Sequence, residues 1–214
     1  IFLQDANSLI IKPVDLIAIL KHLRECFPWV ERITSYARSH TIARISTENL
    51  AEMKTAGLNR IHIGLESGSQ KVLDGFSKGI DLKIAQRSLE NLKQAGIATY
   101  VYLLFGTPWE TELDAEKTLD FAVKHSDTIT FLNLALFNLP AFSHQAAELD
   151  TTPLDAEDLS LYRRFTHPAG WHRQKIRRFL DTKFKRHKAI AAILRNDPPV
   201  FTSNHAPFFA IALP

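Results

Sequence analysis

A single cysteine, Cys26, stands in 214 residues. That excludes an internal disulfide and suits a reducing compartment, so a cytoplasmic location is expected. The nine histidines never fall at H-x-x-x-H or H-E-x-x-H spacing, which argues against a zinc site of those kinds. No apolar run approaches the length of a membrane span, and no signal peptide is visible. A net charge of +3 is too small to select a class of partner. The chain opens on Ile1-Phe2-Leu3-Gln4, without methionine and in what reads as the middle of a strand, so a fragment is expected.

What is present fits one soluble core. Hydrophobic residues at 45% and charged residues at 23% are ordinary for a globular protein, and the length suits one large domain. Ile1 to Leu3 is an apolar strand ending at a polar loop. Pro13 suits a first helical turn, and Leu16, Leu20, Leu23 and Phe27 then recur at helical spacing until Pro28. Arg32 to Ala37 is the next strand. Ser46 and Thr47 cap a helix that Gly57 closes. Gln70 to Phe76 is a short helical piece. Asp81 caps a helix through Leu92, closed by Gly96. Thr99 to Phe105 is a strand, Thr111 with Asp114 forms a capping box for Glu112 to Lys124, and Thr128 to Phe137 is a last strand.

Strands and helices therefore alternate, with connections too long for hairpins, and this argues for a parallel sheet. From about Asp150 the texture changes. Asp155-Ala156-Glu157-Asp158 starts a helical region expected to run through Tyr162 and Phe165. A second helix is expected from Trp171 to Arg195, ended by Pro198-Pro199.

Gly57 to Ser69, G-L-N-R-I-H-I-G-L-E-S-G-S, organises the rest. Glu66 ends an apolar strand and is followed by three small residues. Ligands of α/β folds sit at the carboxyl ends of parallel strands. A carboxylate there can accept hydrogen bonds from vicinal hydroxyls such as those of a ribose; the alternative is a solvated loop charge. His62 alternates with Ile61 and Ile63 and is expected to pack against a helix.

These residues resemble the radical S-adenosylmethionine (SAM) enzymes, in particular the oxygen-independent coproporphyrinogen oxidases and the methylthiotransferases. The resemblance rests on Ile1 to Asn7, on Ala56-Gly57-Leu58 through Ile63-Gly64-Leu65-Glu66-Ser67-Gly68-Ser69 to Lys78-Gly79, and on Gly106, Pro108, Glu110 and Thr111. It covers roughly Ile1 to Pro140. It implies an α/β fold: a partial TIM-like (β/α)6 barrel, residues 1–140, carrying strands 2 to 6 and lacking the first strand and cluster loop. Residues 141–214 would be a C-terminal helical extension packed on the barrel.

The same resemblance implies a cofactor site. Glu66 and Ser67 would lie at the SAM ribose, and Gln4, Asp5 and Ala6 at the methionine end, where the family usually has a Gly-rich turn. Gly106, Pro108 and Glu110 would shape the adenine end, with Leu134 supplying an adenine contact. Trp109 would either narrow the pocket or anchor the loop to the core. Ser35, Tyr36, Arg38, Tyr102 and Asn133 are the candidate substrate residues at the strand ends. Tyr36 and Arg38 suit a carboxylate or phosphate, because Arg offers a planar fork of donors; the alternative is that Arg38 pairs with a nearby carboxylate and Tyr36 is half core.

The implied chemistry is reductive cleavage of SAM at a [4Fe–4S] cluster, giving a 5′-deoxyadenosyl radical that abstracts hydrogen from a substrate not readable in the sequence. A reducing protein such as flavodoxin or ferredoxin would be a partner. The family holds its cluster on C-x-x-x-C-x-x-C, since such clusters need thiolates, and this sequence lacks that motif. The chain alone is expected to be inactive, with cluster ligands upstream of Ile1. A relic without a cluster, binding a nucleotide or small molecule, is the alternative. A phosphosugar barrel enzyme is disfavoured, since no Gly-rich phosphate cradle opens a late helix. The basic run from Arg163 to Lys188 is expected to be a solvated helix, with RNA as the lesser alternative.

Overall fold

The computed structural model describes residues 1–76, 79–152 and 160–196. Five parallel strands form one sheet in sequence order: β1 (Phe2–Leu3), β2 (Ile33–Tyr36), β3 (Leu58–Glu66), β4 (Ala98–Phe105) and β5 (Phe131–Leu136). The helices between them are α1 (Pro13–Cys26), α2 (Ser39–Ile42), α3 (Thr47–Thr55), α4 (Gln70–Gly75), α5 (Leu82–Gln94) and α6 (Glu112–Lys124). Sequential parallel order with helical crossovers is the arrangement expected of a partial β/α barrel.

The caps work as the residue types require. Ser46 accepts from the Asn49 N–H, and Asp81 from those of Lys83 and Ile84. Thr111 and Asp114 close a reciprocal capping box at the start of α6.

Period two along the strands sorts the sheet into two faces. Ile33, Ile61, Ile63, Leu65, Val101, Leu103, Phe105 and Leu132 point to the helices. There they join Leu20, Met53, Leu89, Leu92 and Leu119 in one continuous buried core. The other face carries Phe2, Tyr36, His62, Tyr100 and Tyr102, with ring centroids about 5–6 Å apart. His62 is thus on the face away from the helices, contrary to expectation. Its neighbours Ile61 and Ile63 take the helix side, so the pleat sends the imidazole the other way.

Past β5 the chain departs from a purely helical extension. Leu139–Pro140 (β6) pairs antiparallel with Tyr162–Arg163 (β7), around a short helix α7 (His144–Glu148), and Thr151 bridges Phe165. The segment expected to be helical through Tyr162 and Phe165 is therefore extended. Its proposed start at Asp155–Asp158 lies outside the described residues, as do Lys78 and Pro198-Pro199. The helix expected over Trp171–Arg195 is divided into α8 (Arg173–Phe179), a π-helical turn at Leu180–Phe184, and α9 (Lys188–Leu194). His187 is extended and caps α9 by accepting from the Ala189 N–H, which separates the two pieces. Ile176, Phe179, Phe184, Ile190 and Ile193 nevertheless bury into the same core as the sheet. Among the described residues no helix is long and apolar enough to cross a membrane.

Candidate functional site

A cleft of about 490 Å³ opens at the carboxyl ends of β2 and β3. Its chemistry-bearing walls are Glu66, Arg38, His40 and Asp81, with Tyr36, Ile80 and Ile84 supplying apolar surface. Glu66 is partly exposed in it.

The backbone at Glu66 is unusual. It has φ +66°, the only described residue other than glycine in the left-handed region, and the β3–β4 register shifts between Gly64 and Glu66. Such a conformation costs about 1–2 kcal/mol for an L-residue and persists only where surrounding contacts hold it.

Those contacts come from the residues that follow. Ser67 Oγ meets Thr118 Oγ1 at 3.0 Å, and the Gly68 N–H donates to the same oxygen at 3.0 Å. Ser69 Oγ donates to Asp114 Oδ1 at 2.8 Å. A Cβ on Gly68 would stand 2.7 Å from Thr118 Cα, so the loop can approach α6 this closely only with glycine there. Burial by itself would raise the Asp114 pKa. Hydrogen bonds from Thr111, Ser69 and Lys117 outweigh it and hold the carboxyl well below the usual carboxylate range. Ser67, Gly68 and Ser69 therefore fasten the loop to α6, and Glu66 is the carboxylate of the motif that reaches the cleft, beside His62 and Gly64.

The Gly106–Thr111 loop behaves differently. Gly106 has φ +86°, and a Cβ there would stand 2.6 Å from Ile176 Cδ1. Glu110 is fully buried and turned beneath the loop, where Oε2 accepts from the Gly106 N–H and from Trp171 Nε1. Its Oε1 has no hydrogen-bond partner among the described residues. Burial pushes its pKa up to about 7, against the lowering effect of those two donors, with the negative charge of Asp114 adding to the rise. Trp109 anchors the loop: its Nε1 donates to the Val72 carbonyl at 2.9 Å and its ring meets Phe76 edge-on.

Of the predicted site residues, Ala6, Tyr36, Arg38 and Glu66 come together around the cleft. Gln4 and Asp5 are exposed on the loop after β1, outside its walls, and Ser67, Pro108 and Glu110 are buried in the loops. Gly106 belongs to a separate cavity. Ser35 is fully buried, its hydroxyl donating to the Leu3 and Tyr36 carbonyls, so it does not face the strand ends. Leu134 packs against the helix-side core. Asn133 stands beside Tyr102 across β4 and β5.

The Tyr102 hydroxyl lies 3.0 Å from His62 Nδ1 and 3.4 Å from the Tyr36 hydroxyl. Burial, then the Tyr36 hydrogen bond, raises its pKa well above the ordinary phenol value. Sequence reasoning passed over His62, His40, Asp81 and Ile84 as cleft residues. For His62 the signal was there: Arg60, His62, Gly64 and Glu66 alternate with Ile61, Ile63 and Leu65 along β3.

The sequence profile of the radical SAM superfamily matches residues 1–122. The chain belongs to the radical SAM superfamily. The chain is similar in fold to the coproporphyrinogen III oxidase HemN of Escherichia coli, described as a radical SAM enzyme. The TM-score is 0.57 at 17% identity, covering 82% of this chain and 38% of that one. It is also similar to archaeal Elp3 of Methanocaldococcus infernus, with a TM-score of 0.55 at 11% identity, covering 68% and 38% of the two chains. A shorter likeness is to an uncharacterized methyltransferase of Pyrococcus horikoshii. It is 27% identical over 90 residues, which are 42% of this chain and 20% of that protein. The chain thus spans well under half the length of these proteins.

Radical SAM chemistry requires two groups, and they fit this chain unequally. SAM fits the cleft: a carboxylate is held at a strand end beside apolar surface and a guanidinium. The [4Fe–4S] cluster does not fit these residues. Cys26 is the sole cysteine in the sequence and is exposed at the end of α1. Among the described residues no group of three or more His, Cys, Asp or Glu is placed to hold a metal ion.

Proposed function

We propose that this chain forms the SAM-binding part of a radical SAM enzyme, with Glu66 as the ligand of the ribose hydroxyls. The observation that carries this reading is the strained backbone at Glu66, held by a loop braced on α6, which keeps a carboxylate in the cleft. Tyr36, Ile80 and Ile84 give the adenine or the thioether chain apolar surface, and Arg38 faces the same space with a fixed positive charge. Of the loop after β1, Ala6 reaches the cleft wall and faces the methionine end. Glu66 would hold SAM here, and in an assembled enzyme carrying a reduced [4Fe–4S] cluster that cofactor would be the source of a 5′-deoxyadenosyl radical.

The thiolates for that cluster come from outside these 214 residues, and an electron donor such as flavodoxin or ferredoxin serves the assembled enzyme in the cytoplasm. Alone, the chain binds the cofactor without cleaving it. The lone cysteine favours a second reading, a binding module without a cluster.

Calorimetric titration of SAM into the chain tests the cofactor site. Saturable binding that Glu66→Ala weakens about 100-fold supports it, given 1.5–3 kcal/mol for each hydrogen bond to a charged group. Unchanged affinity in the variant would sink the assignment. Electron paramagnetic resonance of the anaerobically reconstituted, reduced full-length protein separates the two readings. A [4Fe–4S] signal that shifts on adding SAM supports the enzyme, and no cluster supports the binding module.

A further inference from the structure

We propose that a second cavity, at the carboxyl ends of β4 and β5, binds a small organic oxyanion carried on a flat apolar body. The cavity has a volume of about 390 Å³ and lies between the strand ends at Phe105 and Leu136 and the segment running from β7 into α8. It stands further along the same sheet edge as the Glu66 cleft.

Charge is the first argument. Arg163, Arg164 and Arg173 line this cavity, and among the described residues no carboxylate does. Arg163 is half-buried on β7, and its Nε, shielded from water, has no hydrogen-bond partner among the described residues. Arg173 is directed by a 2.8 Å hydrogen bond to Asn138 Oδ1. Guanidinium groups gathered without an acidic partner among the described residues repel one another, and an oxyanion relieves that repulsion while accepting their paired N–H groups.

His167 adds no charge. Its Nε2 faces the Thr107 carbonyl at 2.8 Å and so donates, while Nδ1 accepts from the Ala169 N–H at 3.2 Å. Burial lowers its pKa, against the raising effect of the Thr107 carbonyl. Glu110, behind Trp171, is occupied by Trp171 Nε1 and the Gly106 N–H and is not part of the wall.

The apolar half is aromatic. Phe137 and Phe165 meet edge-on at 6.0 Å, and Tyr162 and Trp171 complete the lining. Rings arranged around a few fixed polar groups favour a flat ligand over a compact inorganic ion. The site stands on its own residues; that the anion is the substrate of the enzyme rests on the reading above.

The test is calorimetry on the full chain without SAM, using 2-naphthoate, 2-naphthyl phosphate, the neutral 2-naphthamide and inorganic phosphate. We expect at least one naphthyl oxyanion to bind tenfold or more tighter than both the amide and inorganic phosphate. Whichever of the two is tighter names the head group as carboxylate or phosphate. Arg163→Gln and the more exposed Arg173→Gln should each weaken it about tenfold with the melting temperature unchanged, and Glu66→Ala should leave it unchanged.

Equal affinity for the amide, equal affinity for inorganic phosphate, no oxyanion binding, or indifference to both arginine substitutions would overturn the proposal. If naphthyl oxyanions bind and SAM does not, the cofactor reading fails and this site stands. If SAM binds and the oxyanions do not, the reverse holds.

Discussion

The end of β3 and the loop after β4 each carry a glutamate, and the two glutamates meet opposite environments. Glu66 is lifted into the cleft by a left-handed backbone, while Glu110 is folded beneath its loop and fully buried. The difference lies in what each loop packs against. The Glu66 loop is fastened by the residues after it, through Ser67, Gly68 and Ser69 onto α6, and the carboxylate lies at the cleft wall. The Glu110 loop uses its own carboxylate as the fastener, joining Gly106 to Trp171 of the C-terminal segment. One residue type thus lines a cleft in one loop and gives structural support in the other.

The sharpest way to break this comparison is to remove the fastener of the first loop. Asp114→Ala deletes the partner of Ser69, the capping box at Thr111 and the contacts of Lys71 and Lys117. It should cost about 4 kcal/mol in urea unfolding, combining a lost cap with lost charge-assisted hydrogen bonds. SAM affinity should fall with it, because Glu66 loses its brace.

Next in size is a pH effect of the second loop. The folded Glu110 pKa is raised from 4.5 to about 7, so the folded state holds a proton that the unfolded state releases. Its contribution to stability is full below the unfolded value and is lost as pH rises through about 7. That loss amounts to about 3 kcal/mol. Glu110→Gln keeps an acceptor for Gly106 and Trp171, should remove this decline between pH 5 and 8, and should leave SAM binding intact. A variant as pH-sensitive as the parent in urea titrations would refute the structural role. Asp114 has the opposite sign: its lowered pKa contributes stability above the ordinary carboxylate range, lost only in acid.

Glu66→Gly separates strain from ligand binding. The left-handed backbone suits glycine, so the variant should melt no lower than the parent while SAM binding falls about 100-fold. A lowered melting temperature would mean that the carboxylate itself holds the loop. The smallest effect is expected for Lys117→Ala, whose ammonium is well exposed beside Asp114. It should change unfolding by less than about 1 kcal/mol.

Much of the fold was legible in the residues. Alternating apolar runs, the caps at Ser46, Asp81 and Thr111, and glycines at helix ends placed five strands and their crossover helices, because each is a local signal read within a few residues. The tail was less so. Tyr162 to Phe165 reads as helical by composition but is extended, because Arg163 and Tyr162 find strand partners at Leu139 and Pro140, over twenty residues away. The helix over Trp171–Arg195 breaks where His187 leaves the helical conformation to cap α9.

By itself the sequence determined the parallel α/β order, the absence of a thiolate set for a cluster, and Glu66 as the carboxylate at a strand end. Only the tertiary structure decided which motif residues line the cleft and which are fasteners. That choice depends on the surface each loop meets: α6 approaches so closely at Gly68 that Ser67 and Ser69 are buried, and Trp171 approaches from another part of the chain to bury Glu110. Local sequence specifies backbone direction and side-chain alternation, while burial and charge state arise from contacts between segments far apart in the chain.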